Sequence, residues 1–228
     1  MRSVPRQLAL ALAHAESYAR EDFLSGPSNA AAIALVDAWP DWPHRAVVLI
    51  GPDGCGKSHL AAVWAQASGA RRIAARALHE AAVPAALATG ALVIEDVAAG
   101  AFDERALFHL LNLAREQEAF LLLTARSAPA GWTFAIRDLG SRLKALPAVA
   151  IAPPDDGLLR AVLVKLFADR QLAVDESLIG YLAVRIERSF AAARQVVVQL
   201  DDEAMRHQRP LTRALAADVL KSGAPTTP

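Results

Sequence analysis

Residues 46–68 read AVVLIGPDGCGKSHLAAVWAQAS, and this stretch decides the fold. An apolar run at residues 47–50 leads directly into the eight residues GPDGCGKS, 51–58. Glycines in such a loop allow sharp turns and let backbone N–H groups approach phosphate oxygens without an intervening Cβ. Residues 59–68 are predicted to continue as a helix whose N-terminus faces the anion. Strand, loop and helix occur in the required order, so the stretch predicts a phosphate-binding loop; a glycine-rich turn that binds nothing is the alternative.

Two side chains of this loop carry the predicted chemistry. Lys57 would bring a cation to the β- and γ-phosphates, and Ser58 a hydroxyl to Mg²⁺. Residues 22–29 form a turn-rich segment before the first predicted helix, which we call the lead-in, and it is predicted to pack against the nucleotide base. The residues predicted to bind the nucleotide are Phe23, Gly51, Pro52, Asp53, Gly54, Cys55, Gly56, Lys57, Ser58 and His59.

Composition limits the classes of protein that fit. The chain has 228 residues, 54% of them hydrophobic, which is enough for one large domain and a small one. Lys+Arg and Asp+Glu both total 24, so no global basic field is available and any DNA contact is expected to be indirect or weak. The single cysteine, Cys55, allows no disulfide framework and favours a reducing cytoplasm. No stretch approaches the ~20 apolar residues of a membrane span.

Residues 1–22 are predicted to be an N-terminal tail that contains QLALAL at residues 7–12. A short peptide with a glutamine and spaced leucines folds onto an apolar pocket of a partner, the amide fixing its orientation. A plain alanine-leucine helix is the alternative. The apolar core is too short for the roughly 7–15 residues of a signal-peptide h-region, so secretion is not expected. The predicted partner-binding residues are Gln7, Leu8, Leu10 and Leu12.

Two carboxylates follow a second buried run, residues 91–94. Glu95 and Asp96 are therefore expected at the C-terminal edge of a parallel strand, although a strand with a solvated turn would look the same. In a P-loop ATPase one such acid orders Mg²⁺, assigned here to Glu95 with Ser58, and the next polarises the attacking water. Thr124 ends another apolar run and is predicted to contact the γ-phosphate or that water.

Strand and helix patterns alternate up to Pro153 and become wholly helical beyond it. This order predicts an α/β, doubly wound parallel sheet with the ligand at the carboxyl ends of the strands, followed by a small all-α lid. The predicted lid helices are residues 155–170, 175–188, 190–207 and 212–221. The predicted domains are a nucleotide-binding domain at 23–152, the lid at 153–223 and a tail at 224–228.

With these residues in view, the chain resembles the DnaA/Hda branch of the AAA+ ATPases, and within it the Hda-like regulators. The likeness spans nearly the whole chain and rests on Phe23, Gly26 and Asn29, GPDGCGKSHL at 51–60, LVIED at 92–96, LFHLLN at 107–112 and SR at 141–142. It implies an AAA+ P-loop NTPase that binds ADP or ATP with Mg²⁺. It also implies the DnaA initiator and the DNA polymerase III sliding clamp (β subunit) as partners, and self-association as a homodimer.

The resemblance assigns two further segments. Residues 141–142 match the arginine-finger segment of the family, so Arg142 would be offered to the nucleotide of a neighbouring subunit. An arginine supplied in trans is worth ~10³–10⁵ in rate. QLALAL resembles the family's QLxLPL clamp motif, with Ala11 in place of proline. Few residues follow Lys221, so no helix-turn-helix domain is expected, and the resemblance implies a regulator that docks on the clamp and promotes hydrolysis of DnaA-bound ATP.

Several positions depart from the family pattern. Glu95 stands where the family usually has Asp, and Arg126 where related chains commonly have Asp. Ala191 replaces the sensor 2 arginine, a role that Arg194, one turn along, is predicted to take. These differences predict weak intrinsic ATPase activity. They leave open a non-catalytic adaptor that uses nucleotide structurally, or a helicase-loader-like ATPase that responds to single-stranded DNA.

Overall fold

The computed structural model describes residues 19–222. Gln7, Leu8, Leu10 and Leu12 lie outside this range, so clamp binding by the tail stays a prediction from sequence. Among the residues within the range, no helix is long and apolar enough to cross a bilayer.

Five parallel strands form one sheet in the order β2-β3-β4-β1-β5. Strand β1, which precedes the glycine loop, lies between β4 and β5. The predicted parallel α/β sheet is therefore confirmed. The strands are β1 (Ala46–Ile50), β2 (Arg71–Ala74), β3 (Ala91–Val97), β4 (Phe120–Ala125) and β5 (Ala148–Ala150).

Helices cover both faces of the sheet because side chains alternate along each strand. Val48 and Leu123 pack in one apolar cluster with the helices after β2 and β3 and the helix before β5, whereas Val47 and Leu122 pack in another with the first two helices. These helices are α1 (Ala30–Asp37), α2 (Lys57–Ser68), α3 (Val83–Ala86), α4 (Glu104–Glu116) and α5 (Arg137–Ala145).

One boundary differs from the prediction for a tertiary reason. Strand β3 does not stop before the acids but continues through Glu95 and Asp96 with a register irregularity between Ile94 and Val97.

Helix α5 begins at Arg137, where a contact with α4 ends the segment before it. The Glu104 carboxylate of α4 accepts hydrogen bonds from the backbone N–H groups of residues 135 and 136, which fixes the preceding segment in a non-helical form.

Four helices form a small lid with its own core. Leu163, Phe167, Leu182 and Leu200 are buried at its centre. Asp155, Asp175 and Ser189 cap three of these helices through side-chain oxygens that accept backbone hydrogen bonds, as their residue types favour. The helices are α6 (Asp156–Asp169), α7 (Glu176–Arg185), α8 (Phe190–His207) and α9 (Arg213–Ser222).

Candidate functional site

The glycine loop joins β1 to α2 at the carboxyl edge of the sheet. A Cβ on Gly51 would lie 2.4 Å from the backbone oxygen of Ile151, so only glycine fits there. Gly54 (φ 71°) and Gly56 (φ 102°) adopt left-handed backbone conformations that glycine tolerates without steric cost. The loop is therefore a backbone cradle directly before the N-terminus of α2, which is the arrangement that binds phosphate groups.

Lys57 is held inside this cradle. Its side chain is only 6% exposed, and Nζ donates to the backbone oxygens of Gly51 and Pro52, both at 2.8 Å. These carbonyl oxygens hold the ammonium group at the opening of the loop. A bound phosphate would replace them as the partner of the ammonium group. The loop and its lysine thus fit a polyphosphate.

A cavity of about 690 Å³ is lined by residues of the loop, of the lead-in and of the lid. This volume is in the range of small-molecule sites, roughly 300–1,000 Å³. The predicted site residues that line it are Phe23, Asp53, Gly54, Gly56, Lys57, Ser58, His59, Asp96 and Arg194. The other lining residues are Asp22, Leu24, Val162, Lys165, Leu166, Asp169, Arg170, Phe190, Ala191 and Val198. Gly51, Pro52, Cys55, Glu95, Thr124 and Arg142 do not line it.

The sequence analysis did not identify the contact between lid and loop. Phe190, the first residue of α8, donates its backbone N–H to the Gly54 oxygen at 2.8 Å. A Cβ on Gly54 would lie 2.9 Å from the Cβ atoms of both Ser189 and Ala191. The rings of Phe23 and Phe190 lie 6.4 Å apart, edge to face. The start of α8 therefore packs directly on the phosphate-binding loop, and the only advance signal was the N-cap residue Ser189.

A second link joins the lead-in to the lid. Lys165 of α6 pairs with Asp22 at 2.7 Å and with Asp169 at 3.0 Å, and all three line the cavity. The hydrogen bond that Lys165 donates to Asp22 raises the pKa of Lys165, and partial burial opposes this rise. The ammonium group thus bridges the segment before α1 and the lid beside the predicted base region.

The two acids of β3 have different partners. Glu95 Oε1 accepts hydrogen bonds from Arg72 Nε at 2.9 Å and from its terminal nitrogen at 2.7 Å, and the Glu95 side chain is 18% exposed. Asp96 lines the cavity, and its backbone N–H donates to the buried Thr124 hydroxyl at 3.0 Å. Thr124 therefore fixes the backbone beside Asp96, while Arg72 engages the acid predicted to order the metal.

Mg²⁺ bound with phosphates usually takes only one or two carboxylates from the protein. No group of three or more His, Cys, Asp or Glu suited to a metal ion occurs in the part of the chain that the structure describes. The predicted site residues at the cavity with oxygen ligands of this kind are Asp53, Ser58 and Asp96, and Asp53 pairs with Arg126. A cation here would depend on Ser58, Asp96, phosphate oxygens and water, because Arg72 already engages Oε1 of Glu95.

Arg126, Ala191, Arg194 and Cys55 also have defined positions. Arg126 pairs with Asp53 of the loop at 2.8 Å, and both side chains are exposed. Ala191 and Arg194 both line the cavity, so an arginine lies one turn along α8 from Ala191. Cys55 is buried, and this burial raises the pKa of its thiol.

Arg142 lies outside the cavity, on the interface between α4 and α5. It donates a hydrogen bond to the side-chain oxygen of Asn112, and its guanidinium carbon is 4.9 Å from the centroid of the Phe108 ring. Phe108 and Asn112 also line a separate surface cavity of about 320 Å³. The guanidinium is thus held by two α4 side chains and is not directed at the chain's own loop.

No family model and no curated protein matches this chain. Among solved structures, domain III of the Thermotoga maritima replication initiation protein DnaA is similar, with a TM-score of 0.73 and 17% identity over 90% of this chain and 96% of that chain. AMPPCP-bound DnaA from Aquifex aeolicus is similar with a TM-score of 0.66 and 20% identity, over 84% of this chain and 68% of that chain. A mutant of Thermotoga maritima RuvB is similar with a TM-score of 0.72 and 15% identity, over 90% of this chain and 73% of that chain.

The chain has the AAA+ P-loop fold. The predicted fold class is therefore confirmed in its α/β sheet, its glycine loop and its helical lid. Identities of 15–20% establish the AAA+ fold alone, because one fold hosts many functions.

Proposed function

We propose that this AAA+ chain is a DnaA-related regulator of replication initiation. In this account it binds an adenine nucleotide in the cytoplasm, docks on the DNA sliding clamp and stimulates hydrolysis of ATP held by DnaA. The single observation that carries the proposal is the position of Arg142, which α4 holds away from the chain's own nucleotide cavity.

Adenine nucleotide is the ligand that best fits the cavity. The loop offers a phosphate cradle with Lys57 inside it, and Phe23 and Phe190 lie beside the loop's Gly56. A DnaA structure similar to this one holds AMPPCP, an ATP analogue. ADP or ATP with Mg²⁺ is therefore the proposed cofactor, and Ser58 the proposed metal ligand, with Glu95 once it is released.

Arg142 is suited to act on a neighbour's nucleotide. Stacking on Phe108 and the hydrogen bond to Asn112 limit the rotamers of a long side chain, so less conformational entropy is lost when the guanidinium meets an anion. A guanidinium placed against the γ-phosphate stabilises the charge that spreads over its oxygens during hydrolysis.

The chain's own turnover is proposed to be slow. Arg72 neutralises the Glu95 carboxylate, and Arg126 pairs with Asp53 instead of presenting the acidic group of related chains. Both interactions leave the binding of phosphate possible but weaken the support for metal-assisted hydrolysis. The proposed activity is therefore stimulation of a partner, with little ATPase activity of the isolated chain.

Single-turnover hydrolysis of DnaA-bound ATP, measured with clamp loaded on DNA, tests the proposal. The chain should accelerate hydrolysis, and Arg142→Ala should return the rate to the unstimulated value. Arg137→Ala is the matched control, because Arg137 is exposed on the same helix and should leave the stimulation unchanged. Full stimulation by Arg142→Ala would contradict the role in trans.

Retention on immobilised clamp tests the proposed docking separately. Gln7→Ala and Leu10→Ala should each abolish retention if the QLALAL segment is the contact. Equal retention of the parent and both variants would contradict that contact without affecting the arginine assay, provided that clamp-independent hydrolysis is measured alongside.

The ion pair between Arg72 and Glu95 favours a second candidate function, a non-catalytic adaptor that uses nucleotide to hold core and lid together. Ser189 and Phe190 of the lid contact the phosphate-binding loop, so a nucleotide bound there would touch both the core and the lid. The two candidates differ in one outcome. An adaptor binds its partners but leaves the rate of DnaA–ATP hydrolysis unchanged.

A further inference from the structure

Three exposed arginines from three lid helices lie against Gly180 or Tyr181, which are neighbours on α7. The Arg185 guanidinium carbon lies 3.9 Å from the centroid of the Tyr181 ring, and that of Arg213 lies 5.3 Å from it. The terminal nitrogens of Arg160 lie 3.6 and 3.8 Å from the position that a Cβ on Gly180 would occupy. We call Arg160, Tyr181, Arg185 and Arg213 the arginine patch.

The charges of this patch are not compensated within the described lid. Other lid cations form ion pairs with carboxylates: Lys165 with Asp169, Arg170 with Asp201, Arg188 with Asp156, Arg206 with Glu203, and Arg209 with Asp218. Among residues 19–222, none of the three patch arginines has a carboxylate within the 4.0 Å of an ion pair. All three are exposed. Since like charges repel, the arrangement favours binding of an anion.

Stacking prepares these arginines for such a ligand. An arginine that lies on an aromatic face has fewer rotamers to lose, and its planar fork matches the oxygens of a phosphate group. One terminal nitrogen of Arg185 donates to the backbone oxygen of Tyr181 at 3.4 Å, which leaves its other N–H groups for a ligand. Tyr181 is half-buried and belongs to the lid core, so it is a fixed support for Arg185 and Arg213. The three donors come from α6, α7 and α9, which spreads them over a surface instead of a single pocket.

The surroundings favour nucleic acid over a protein partner. A specific protein interface has an apolar core. Within the part described, the helices that carry the patch expose two large apolar side chains strongly, Val184 of α7 at 75% and Val164 of α6 at 53%, and two side chains do not make an apolar core. Binding here would depend on charge, which is how proteins hold the phosphate backbone without reading sequence.

We propose that the arginine patch binds the phosphate backbone of DNA without sequence preference. None of its four residues lines the nucleotide cavity, so DNA and nucleotide bind at separate surfaces. The site is therefore additional to the proposed function. The neutral net charge of the chain led us to expect only indirect or weak contact with DNA. The patch changes that expectation, because its arginines form a local positive region on a chain that is neutral as a whole.

Fluorescence anisotropy of a labelled DNA duplex, titrated with the full-length protein at several KCl concentrations, tests the proposal. Each phosphate contact contributes about −0.9 to the slope of log K against log[salt], so three contacts give about −2.7. Each of R160Q, R185Q and R213Q should reduce the steepness by about 0.9, and the triple variant should lose measurable binding. The measurement uses neither DnaA nor clamp nor nucleotide, so its outcome is independent of the proposed function.

R206Q is the matched control, because Arg206 is an exposed lid arginine that is paired with Glu203. It should keep the parent's slope. An unchanged thermal midpoint and an unchanged far-UV circular dichroism spectrum of the triple variant would show that its lid is folded. A triple variant with the parent's slope would overturn the proposal, and so would displacement of DNA by oligoglutamate as effectively as by unlabelled DNA of equal charge.

Discussion

Arg142 of α5 donates a hydrogen bond to the side-chain oxygen of Asn112 on α4. The two residues are 30 positions apart in the chain, and Phe108, one turn before Asn112, supports the same guanidinium from the side. This contact fixes where the proposed arginine finger can point. It also makes the function of Arg142 depend on residues that would never touch the nucleotide.

Replacing Asn112 by Ala should reduce stimulation of DnaA–ATP hydrolysis. A hydrogen bond to a charged group is worth about 1.5–3 kcal/mol, so the stimulated rate should fall roughly tenfold or more. Asn112→Asp keeps an acceptor oxygen and should retain most of the stimulation. Single-turnover rates measure both variants, and equal rates for Asn112→Ala and the parent would show that Arg142 needs no support from α4.

Removing the Arg72 side chain should release Glu95 for the metal. In the parent, Mg²⁺ is held without Glu95, so in Arg72→Ala the strengthening of ATP binding by Mg²⁺ should be roughly tenfold larger than in the parent, the effect of about 1.4 kcal/mol. Calorimetric titration with and without Mg²⁺ measures the difference. Arg71→Ala is the control, since the neighbouring Arg71 of β2 donates to a backbone oxygen and does not contact Glu95. The same Mg²⁺ effect in all three proteins would contradict this account of Glu95.

Alanine substitutions at Gly54 and Gly69 should distinguish the effect of backbone strain from the effect of losing the contact between loop and lid. Gly54 and Gly69 have nearly equal φ values, 71° and 69°, but a Cβ on Gly54 meets the lid, whereas nothing lies within 4 Å of one on Gly69. Alanine in a left-handed conformation costs about 1–2 kcal/mol, so both variants should lose stability in thermal unfolding. Only Gly54→Ala should also lose nucleotide affinity. Comparable affinity losses in the two variants would argue against the contact between loop and lid.

The thiol of Cys55 should react slowly in the folded protein. Burial is the largest effect on this group and raises its pKa, although the charge of Lys57 acts in the opposite direction. A raised pKa leaves less thiolate at any given pH, and the thiolate is the nucleophile. At pH 8, alkylation by iodoacetamide followed by mass spectrometry should be at least about tenfold slower in the folded than in the urea-unfolded chain. Equal rates would mean that the loop opens readily.

Local sequence patterns predicted most of the fold. The apolar runs located the strands, and the eight-residue loop located the start of α2. The third lid helix was predicted at residues 190–207 and found at Phe190–His207, where the Ser189 side chain caps its N-terminus. Such signals lie within a few residues of the element that they define.

Contacts between distant segments could not be predicted in this way. The pairing of Arg72 with Glu95 depends on the register of β2 against β3, and that of Arg142 with Asn112 on how α4 packs against α5. The extension of β3 beyond Ile94 likewise depends on the neighbouring strand, where the hydroxyl of Thr124 accepts the N–H of Asp96. These contacts decide which acids and arginines are available, and they follow only from the assembled fold.

Equilibrium binding of ADP and ATP to the 228-residue chain decides whether the glycine loop is a nucleotide site. We expect saturable binding of one nucleotide, and Lys57→Ala should weaken it by roughly 10- to 150-fold, the effect of losing a charged hydrogen bond worth about 1.5–3 kcal/mol. Lys144→Ala, which removes a lysine of α5 outside the cavity, should bind as the parent does. No affinity for either nucleotide, or equal affinity of Lys57→Ala and the parent, would contradict the claim that the loop between β1 and α2 holds a nucleotide.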